Sequence, residues 1–493
     1  MDRESAQNWF THTSDLVTEH IDEPEGRVRL FYLSTMADAK VVYSELIPKL
    51  REICLEESRI EVIAQHLGVS SSNRVFDDGE AIERLLSGHI VIRVEESSYG
   101  LAFPSDGTVG RNIQAPEIET VVLGPQIAFV EELNVNICII RKYMSTPRLF
   151  HERLSVGKTI PMNVSMLYLS GTADEENVNT VRQRINDLEL DTSLDSTILA
   201  QHIADNEKSL FPTLQQTERP DRAIHGLRQG QIAILVEGSP FALLGPTTLL
   251  QFFQSPDDYY LRWSLATFNR LMRTFAMILS LILTPIYVAA LTYHYEMVPA
   301  DLLLSLAQSR SRVPFPPLWE ALLMELIIEL LREAGARLPT KVGQTIGIVG
   351  GIVIGQAIVQ AGFTSNILII IVALGALSSF IVALGALSSF IAPSYMIGST
   401  IRVVRFPMIF LAGVLGALGI VVGFSFLASH LLRQTSLGRP YMYPIYPVRF
   451  SDWKDGFIRA PLSSLSERLK FFNPKRISRF DRGRAKEKKD IDE

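Results

Sequence analysis

Long apolar runs in the second half of the chain predict a membrane domain. Residues 274–293 read TFAMILSLILTPIYVAALTY, and an apolar helix of this length is about 30 Å long, which matches the hydrocarbon thickness of a bilayer. Between Lys341 and Arg402 the chain contains no Asp, Glu, Lys, Arg or His. We therefore predict a polytopic α-helical membrane domain at residues 251–432. Its further apolar segments are 342–360, 367–392 and 406–432.

One apolar segment contains a perfect tandem repeat. The ten residues IVALGALSSF occur twice in succession, at 371–380 and 381–390. With both copies, the run at 367–392 has 26 residues and would be about 39 Å long as a helix, whereas with one copy it would be about 24 Å long. The repeat therefore decides whether this segment is long enough to cross a bilayer.

The first half of the chain also repeats itself, over a longer period. The motif LFYLSTMAD returns as LYLSGTAD, and Gly88 and Pro104 correspond to Gly230 and Pro246 at a constant offset of 142 residues. Apolar runs followed by turns and helical segments predict two similar α/β modules built from a strand, a helix and a hairpin. The predicted regions are a flexible N-terminus (1–26), a first module (27–125), a linker (126–160), a second module (161–250) and a basic tail (433–493).

The distribution of charge indicates the orientation in the membrane. Residues 433–493 carry 15 Lys and Arg against 8 Asp and Glu, although the whole chain has a net charge of −6. Arg262, Arg270 and Arg273 precede the first apolar run, so the positive-inside rule places the soluble modules in the cytoplasm. The first 30 residues are polar and predict no cleavable signal peptide. In the tail, Phe alternates with Lys and Arg, which favours contact with membrane lipids over nucleic acid.

An acidic face marks the amphipathic segment 318–339. Glu325, Glu329 and Glu333 recur every four residues, with Arg332 and Arg337 close enough on a helix to pair with them. Two interpretations are open. The face is either solvated, on a helix at the membrane surface, or part of a ring of carboxylates at a pore entrance, which would favour cations.

The segment 342–360 carries a glycine seam and a polar stripe. The seam, which permits close helix contact, is formed by Gly347, Gly351 and Gly355. The stripe is formed by Thr345, Gln356 and Gln360. In hydrocarbon these polar groups need partners, and hydrogen bonds between helices explain them as well as a pore lining does.

The number of membrane crossings leaves a choice between two segments. A cytoplasmic N-terminal region and a cytoplasmic tail require an even number of crossings, and 274–293, 342–360 and 406–432 supply three. Either the acidic segment crosses and the repeated segment does not, or the reverse. We expect the repeated segment to cross.

The sequence offers no catalytic or metal-binding motif. GxGxxG, GxxxxGK[ST] and GxSxG are absent, and the nine His residues are scattered without the spacing of metal ligands. Cys54 and Cys138 lie in apolar surroundings, which predicts buried thiols and no disulfide. We therefore expect neither an enzyme nor a cofactor.

Several long motifs are distinctive. They include FPTLQQTERPD, GQIAILVEGSPFALLGPTTLLQFFQSPDDYY, EMVPADLLLSLAQSR, VGQTIGIVGGIVIGQAIVQAG and RFPMIFLAGVLGALG. These stretches resemble the A subunits of GerA-type spore germinant receptors, and the resemblance runs from about residue 27 to residue 447. Members of that family carry one copy of the IVALGALSSF-like segment, so we interpret the second copy as a recent tandem duplication or a sequencing artefact.

The resemblance implies a protein of the spore inner membrane that triggers germination. In that family a transporter-like B subunit binds the nutrient, a lipoprotein serves as C subunit, and the A subunit is expected to form a homo-oligomeric, nutrient-gated cation channel. The resemblance also implies a cytosolic two-part α/β region and a cytosolic tail. The alternatives are a non-conducting scaffold of the receptor complex and a component of a secondary transporter.

Overall fold

The structure, a computed structural model, contains two α/β modules followed by a helical region. It describes residues 13–21, 28–56, 59–95, 97–105, 115–116, 119, 123–191, 195–337, 353, 355–383, 392–461 and 464–479.

The first module is an antiparallel sheet covered by helices. Its strands are β1 (Leu16–His20), β2 (Val28–Leu33), β3 (Arg74–Val75), β4 (His89–Val94) and β5 (Gly100–Pro104), in the order β1-β2-β4-β5-β3. Its helices are α1 (Ile47–Glu56), α2 (Ile60–His66) and α3 (Asp78–Leu86). Alternate residues of β2, namely Val28, Leu30 and Tyr32, face the core shared with α1 and α2, because successive strand residues point to opposite faces.

The second module has the same topology. Its strands are β6 (Leu149–Val156), β7 (Met162–Leu169), β8 (Gln215–Thr217), β9 (Ile232–Val236) and β10 (Ala242–Gly245), in the order β6-β7-β9-β10-β8. Its helices are α4 (Leu133–Tyr143), α5 (Glu175–Asn186), α6 (Ser196–His202) and α7 (Pro220–Gln229). The equivalent residues Gly88 and Gly230 follow α3 and α7 with φ of +85° and +106°, a conformation that favours glycine. The predicted pair of similar modules is confirmed.

The module boundaries differ from the predicted ones in two places. β1 lies within the predicted flexible N-terminus (1–26). It belongs to the first module, because it pairs with β2 along its full length. α4 and β6 lie within the predicted linker (126–160). α4 serves both modules, since Ile137 and Ile140 pack into the second core while Cys138 packs against the first. A helix shared by two cores has no polar, turn-rich stretch that would mark a boundary in the sequence.

A buried ion pair joins the two modules. Arg141 of α4 donates two hydrogen bonds of 2.8 and 2.7 Å to the Asp15 carboxylate, Thr35 donates a third of 2.6 Å, and both charged side chains are fully buried. Burial opposes ionisation of Asp15, but the charge of Arg141, the His151 ring 3.5 Å away and the hydrogen bond from Thr35 outweigh it. They hold the pKa of Asp15 well below its usual value.

The helical region begins immediately after the second module. It contains α8 (Asp257–Tyr260), α9 (Trp263–Thr292), α10 (Ala300–Arg310), α11 (Pro317–Arg337), α12 (Asn366–Ala383), α13 (Ala392–Leu415) and α14 (Ala417–Arg433). Trp263–Thr292 and Gly398–Leu415 are long and apolar enough to cross a membrane. The chain is therefore a membrane protein with helical spans, and α9 extends the predicted first span by about three turns towards the second module.

One face of α9 has the composition of a lipid-facing surface. Phe268, Leu271 and Phe275 are exposed at spacings of three and four residues. Trp263 at the start of the helix and Tyr293 just after its end are also exposed, and aromatic residues of this kind are enriched at the two membrane interfaces.

The predicted single span at 406–432 is wrong, because the chain reverses direction at Gly416. This residue separates α13 from α14 with φ of +63°. The two helices form a tight antiparallel hairpin in which a β-carbon at Gly419 would lie 2.0 Å from the Leu411 carbonyl oxygen. A β-carbon at Gly423 would meet the Met408 sulfur at 2.2 Å. An uninterrupted apolar run conceals this turn, since both helices and the turn itself are apolar.

Contacts along α11 show that it runs antiparallel to α13. Leu318, near the start of α11, contacts Gly413 near the end of α13. Glu329, about three turns further along α11, pairs with Arg402 in the first half of α13. The two helices therefore contact each other from Leu318 to Glu329 of α11.

α12 runs in the same direction as α11. Ser365, just before α12, contacts Glu320 near the start of α11, and Ser379 contacts Arg332 near its end. The chain from Arg337 to Asn366 therefore starts at one end of the helix bundle and finishes at the other. Within the described residues, α11, which carries the acidic face, and α12, which carries the first copy of the repeat and the start of the second, both run along the bundle.

The residues after α14 fold back onto the second module. Ser436 donates a hydrogen bond of 2.6 Å to the Thr213 carbonyl oxygen, and Arg439 forms an ion pair with Asp174 at the start of α5. The end of the helical region and the second module are thus on the same side of the bundle.

Two phenylalanines of the basic tail face the interior of the protein, so they do not contribute to the predicted contact of the tail with lipids. Phe471 and Phe472 are buried and pack against Tyr443 in a small core of the C-terminal segment. Residues 480–493, which carry five of the tail's 15 Lys and Arg and five of its eight Asp and Glu, lie outside the described residues.

Replacement of Arg141 by Met should destabilise the chain by about 3–5 kcal/mol, because it leaves the Asp15 carboxylate buried and unpaired. Equilibrium unfolding of the full chain in detergent would measure this loss. Lys142→Met is the matched control, since Lys142 is the next residue on α4 and is exposed. Equal losses in the two variants would contradict the interpretation, and adding Asp15→Asn to Arg141→Met should recover part of the stability.

Candidate functional site

The acidic side chains of α11 face into the bundle. Glu325 is buried with a side-chain exposure of 1%, whereas Leu323, Leu326 and Leu330 on the other side of the helix are exposed. This arrangement is the reverse of a helix at a water surface, so the solvated-face interpretation does not hold for Glu325. It is typical of a membrane helix whose polar groups contact neighbouring helices.

An ion pair between Glu325 and Arg405 lies where four helices meet. Glu325 Oε2 is 2.6 Å from Arg405 Nη2 of α13, and Thr284 of α9 donates a hydrogen bond of 3.0 Å to Glu325 Oε1. From α12, Gly375 makes room for the guanidinium group, because a β-carbon there would lie 3.2 Å from Arg405 Nη1. Gly375 belongs to the first copy of the repeated decamer.

A second ion pair lies about one turn away. Glu329 Oε1 is 3.0 Å from Arg402 Nε, and Glu329 Oε2 is 3.6 Å from Arg332 Nη1 on the same helix. Arg332 also donates a hydrogen bond of 3.2 Å to Ser379 of α12. Because Glu325 and Glu329 are four residues apart and Arg402 and Arg405 are three apart, each pair of like charges shares one helical face.

We refer to the pairs Glu325–Arg405 and Glu329–Arg402 as the ion-pair ladder. Together with Arg332 it contains three guanidinium groups and two carboxylates, so its local charge is positive. Burial of each charge costs several kcal/mol, and loss of one partner from a buried pair costs about 3–5 kcal/mol. The ladder therefore strongly disfavours separation of α11 from α13 within a membrane.

A third carboxylate of α11 fixes the start of α12. Glu320 is fully buried, and its Oε1 accepts hydrogen bonds from the Ser365 backbone N–H at 2.7 Å and from the Thr364 hydroxyl at 3.1 Å. Its other oxygen lies 3.4 Å from Arg310 Nε. This carboxylate satisfies a backbone N–H just before the first turn of α12, which is a favourable place for negative charge.

Comparison with known proteins assigns the chain to a family. The family described as Bacillus/Clostridium GerA spore germination protein matches residues 4–471. The chain belongs to this family. It is an A subunit of a spore germinant receptor, it takes part in germination, and it is not an enzyme.

Individual relatives match over almost the whole chain. Spore germination protein GerQA of Bacillus cereus is 45% identical over 471 residues, covering 95% of this chain and 92% of that protein. Spore germination protein A1 of Bacillus subtilis (strain 168) is 38% identical over 434 residues, covering 88% of this chain and 87% of that protein. The N-terminal domain of the A subunit of the Bacillus megaterium spore germinant receptor GerK3 matches at 24% identity, covering 49% of this chain and 91% of that chain, with a TM-score of 0.37.

The remaining predicted residues of this A subunit are placed as follows. Glu333 is exposed on α11, one turn beyond Glu329. Residues 355–360 are helical, with Gln356 and Gln360 exposed, and the described atoms leave open space at the position of a Gly355 β-carbon. The other members of the stripe and the seam, Thr345, Gly347 and Gly351, lie outside the described residues.

The sequence did not identify three residues that surround Glu325 and Glu329, namely Thr284, Arg402 and Arg405. Because the predicted span begins at Phe406, both arginines fall within its basic flank. The structure places them inside a helix that begins at Ala392 and continues to Leu415. Two arginines three residues apart inside an apolar helix indicate an inward-facing charged site. Recognition of the helix start would have revealed them.

A second charged cluster joins α9 to the soluble region. Arg270 donates hydrogen bonds of 2.8 Å to the Asp258 carboxylate and 2.7 Å to the Asp455 carbonyl oxygen, and Arg273 also pairs with Asp258. Both arginines are buried. Two of the three arginines that indicated orientation in the sequence, Arg270 and Arg273, therefore also hold α9 to α8, and Arg270 holds it to the C-terminal segment.

Beside this cluster, the ring of His225 contacts the ring of Tyr259, with centroids 4.3 Å apart and the ring planes tilted by 39°. Burial lowers the pKa of His225 to about 4, so the ring is neutral at neutral pH. The described residues contain no group of three or more His, Cys, Asp or Glu side chains placed to hold a metal ion.

Replacement of Gly375 by Leu should disrupt the ladder, because the new side chain would displace Arg405 and Thr284. Overpacking of this kind costs about 1–3 kcal/mol, which unfolding of the purified full chain would measure. Gly335→Leu is the control, since Gly335 also lies in a membrane-domain helix, α11, and the described atoms leave open space at the position of its β-carbon. We expect a much smaller effect at Gly335. Equal effects would show that Gly375 has no special role in packing.

Proposed function

We propose that this A subunit oligomerises around a cation pathway in the spore inner membrane. On this proposal the pathway opens when a transporter-like B subunit binds a nutrient, and a lipoprotein C subunit completes the receptor. The A subunit then converts nutrient binding into ion flow at the start of germination.

The observation that carries this proposal is the exposure of Gln356 and Gln360. Both amides belong to the helical region, yet in the single chain they face outward. Two amides facing hydrocarbon would lose several kcal/mol of hydrogen bonding, so they need water or another subunit beside them. An oligomer in which this face lines a water-filled pathway satisfies both groups, and several copies of each would give a polar ring of the kind that channels use.

We propose that the modules and the C-terminal segment face the spore core. They contact each other directly, through Ser436 and Thr213 among others, which requires an even number of crossings between them. Crossings by α9, α11, α12, α13 and α14, together with the crossing predicted from the sequence at 342–360, give six. The basic residues of the tail would then lie near the anionic lipids of the same membrane face.

Reconstitution into liposomes with the B and C subunits tests this function. We expect nutrient to start a flux of monovalent cations, and we expect the double variant Gln356→Leu, Gln360→Leu to reduce that flux at least about tenfold, which corresponds to about 1.4 kcal/mol. Val353→Leu, an exposed residue on the same segment, should leave the flux nearly unchanged.

Two results would count against the proposal in different ways. If the B subunit binds nutrient and no cation flux follows, the A subunit is a non-conducting scaffold. If flux occurs but is the same in the glutamine variant, then Gln356 and Gln360 do not line the pathway.

A further inference from the structure

The ion-pair ladder is a polar part of the contact between α11 and the rest of the bundle. Another part is apolar, since Ala321 and Met324 of α11 are buried in one core with Leu368 of α12. Inside a membrane, apolar packing between helices gains little over contact with lipid, whereas loss of one partner from a buried ion pair is strongly destabilising. The two ion pairs therefore supply a large share of the energy that holds α11 against α13.

The ladder also leaves hydrogen-bonding capacity unused. Arg405 is buried, and its Nε and Nη1 atoms have no hydrogen-bond partner among the described residues. A buried guanidinium group normally uses most of its five donors. Because two nitrogens of Arg405 form no hydrogen bond, its side chain is held less firmly than that of a fully bonded arginine. The free energy needed to move this side chain to another position is therefore modest.

The two rungs of the ladder differ in their access to water. Glu325 and Arg405 are 1% and 2% exposed, whereas the Glu329 side chain is 32% exposed. Glu329–Arg402 is therefore the rung that water or a moving neighbour reaches first. Its separation would weaken the inner rung by admitting water beside Glu325.

The position of α11 in the chain links the ladder to the polar stripe. α11 ends at Arg337, and the helical residues that carry Gln356 and Gln360 follow it in the chain. A displacement of α11 away from α13 would therefore move the start of the chain segment that leads to the glutamines. The same displacement would free the carboxylates of Glu325 and Glu329, which attract cations, while Arg402 and Arg405 stay on α13.

We propose that the ion-pair ladder is a latch that holds the subunit in its non-conducting form, and that opening requires α11 to separate from α13. This inference rests on the proposed channel function. The latch acts as a two-state device, since each rung is either paired or separated and intermediate positions leave buried charges without partners.

Variants of the outer rung test the latch. In the liposomes described above, Glu329→Gln and Arg402→Gln should each raise the cation flux without nutrient at least about tenfold, because each removes one rung in the resting state. The charge swap Glu329→Arg, Arg402→Glu restores a pair of opposite charges and should return this leak towards the wild-type value. Asp301→Asn, which removes an exposed carboxylate of α10, should have no effect.

A cross-link provides a second test that does not depend on the strength of the pair. Cysteines placed by Glu329→Cys and Arg402→Cys can be joined by a short bifunctional thiol reagent that contains a reducible bond. Before cross-linking, we expect the double-cysteine protein to pass cations without nutrient. The cross-linked protein should pass no cations even with nutrient, and reduction of the bond in the reagent should restore the flux. Thermal unfolding of each purified variant checks that it is folded.

The outcomes separate the latch from the channel function. Wild-type liposomes that respond to nutrient, together with outer-rung variants that are folded and do not leak, would overturn the latch and leave the channel intact. A cross-linked protein that still opens with nutrient would overturn it as well. Wild-type liposomes that bind nutrient and pass no cations would instead overturn the channel function, and the latch with it.

Discussion

The helical region is organised by the requirement that charged groups inside a membrane face inward and find partners. Glu325 and Arg405 meet this requirement together, and their pair fixes the neighbouring helices. α11 must turn its acidic side towards α13, α9 must offer the Thr284 hydroxyl, and α12 must place a glycine, Gly375, beside the guanidinium group. Few packings of these helices satisfy all three conditions, so one ion pair specifies much of the arrangement.

The soluble region is connected to this site by two further buried ion clusters. Asp15 and Arg141 join the two modules through the shared helix α4, and Arg270 joins α8 and the C-terminal segment to the start of α9. Arg270 and Thr284 belong to the same helix and are about 21 Å apart along its axis. A rigid helix thus runs from the soluble junction to the ion-pair ladder, which gives the modules a direct mechanical connection to the membrane site.

The sequence predicted those parts of the structure that short stretches of chain determine by themselves. The two similar modules were predictable because the second repeats the apolar runs and turn glycines of the first, as Gly230 repeats Gly88. The contacts of α11 were not visible, because Arg402 and Arg405 lie more than 70 residues from the glutamates they pair with and no periodicity links the two segments. The reversal at Gly416 was hidden for another reason, since a glycine in an apolar run is compatible with a turn and with a packed helix. The pairing of Phe471 and Phe472 with Tyr443 depends on the folded C-terminal segment, and alternation of Phe with basic residues fits lipid contact equally well.

The energetic coupling between Glu325 and Arg405 tests most directly whether this pair organises the helix bundle. It is obtained from the unfolding free energies of the wild-type chain, Glu325→Gln, Arg405→Gln and the double variant. If the pair organises the bundle, each single variant leaves one buried charge without its partner, and the double variant should lose less than the sum of the two by about 2 kcal/mol or more. If the losses of unfolding free energy in the two single variants add up to the loss in the double variant within about 0.5 kcal/mol, the two residues act independently and the pair does not organise the bundle.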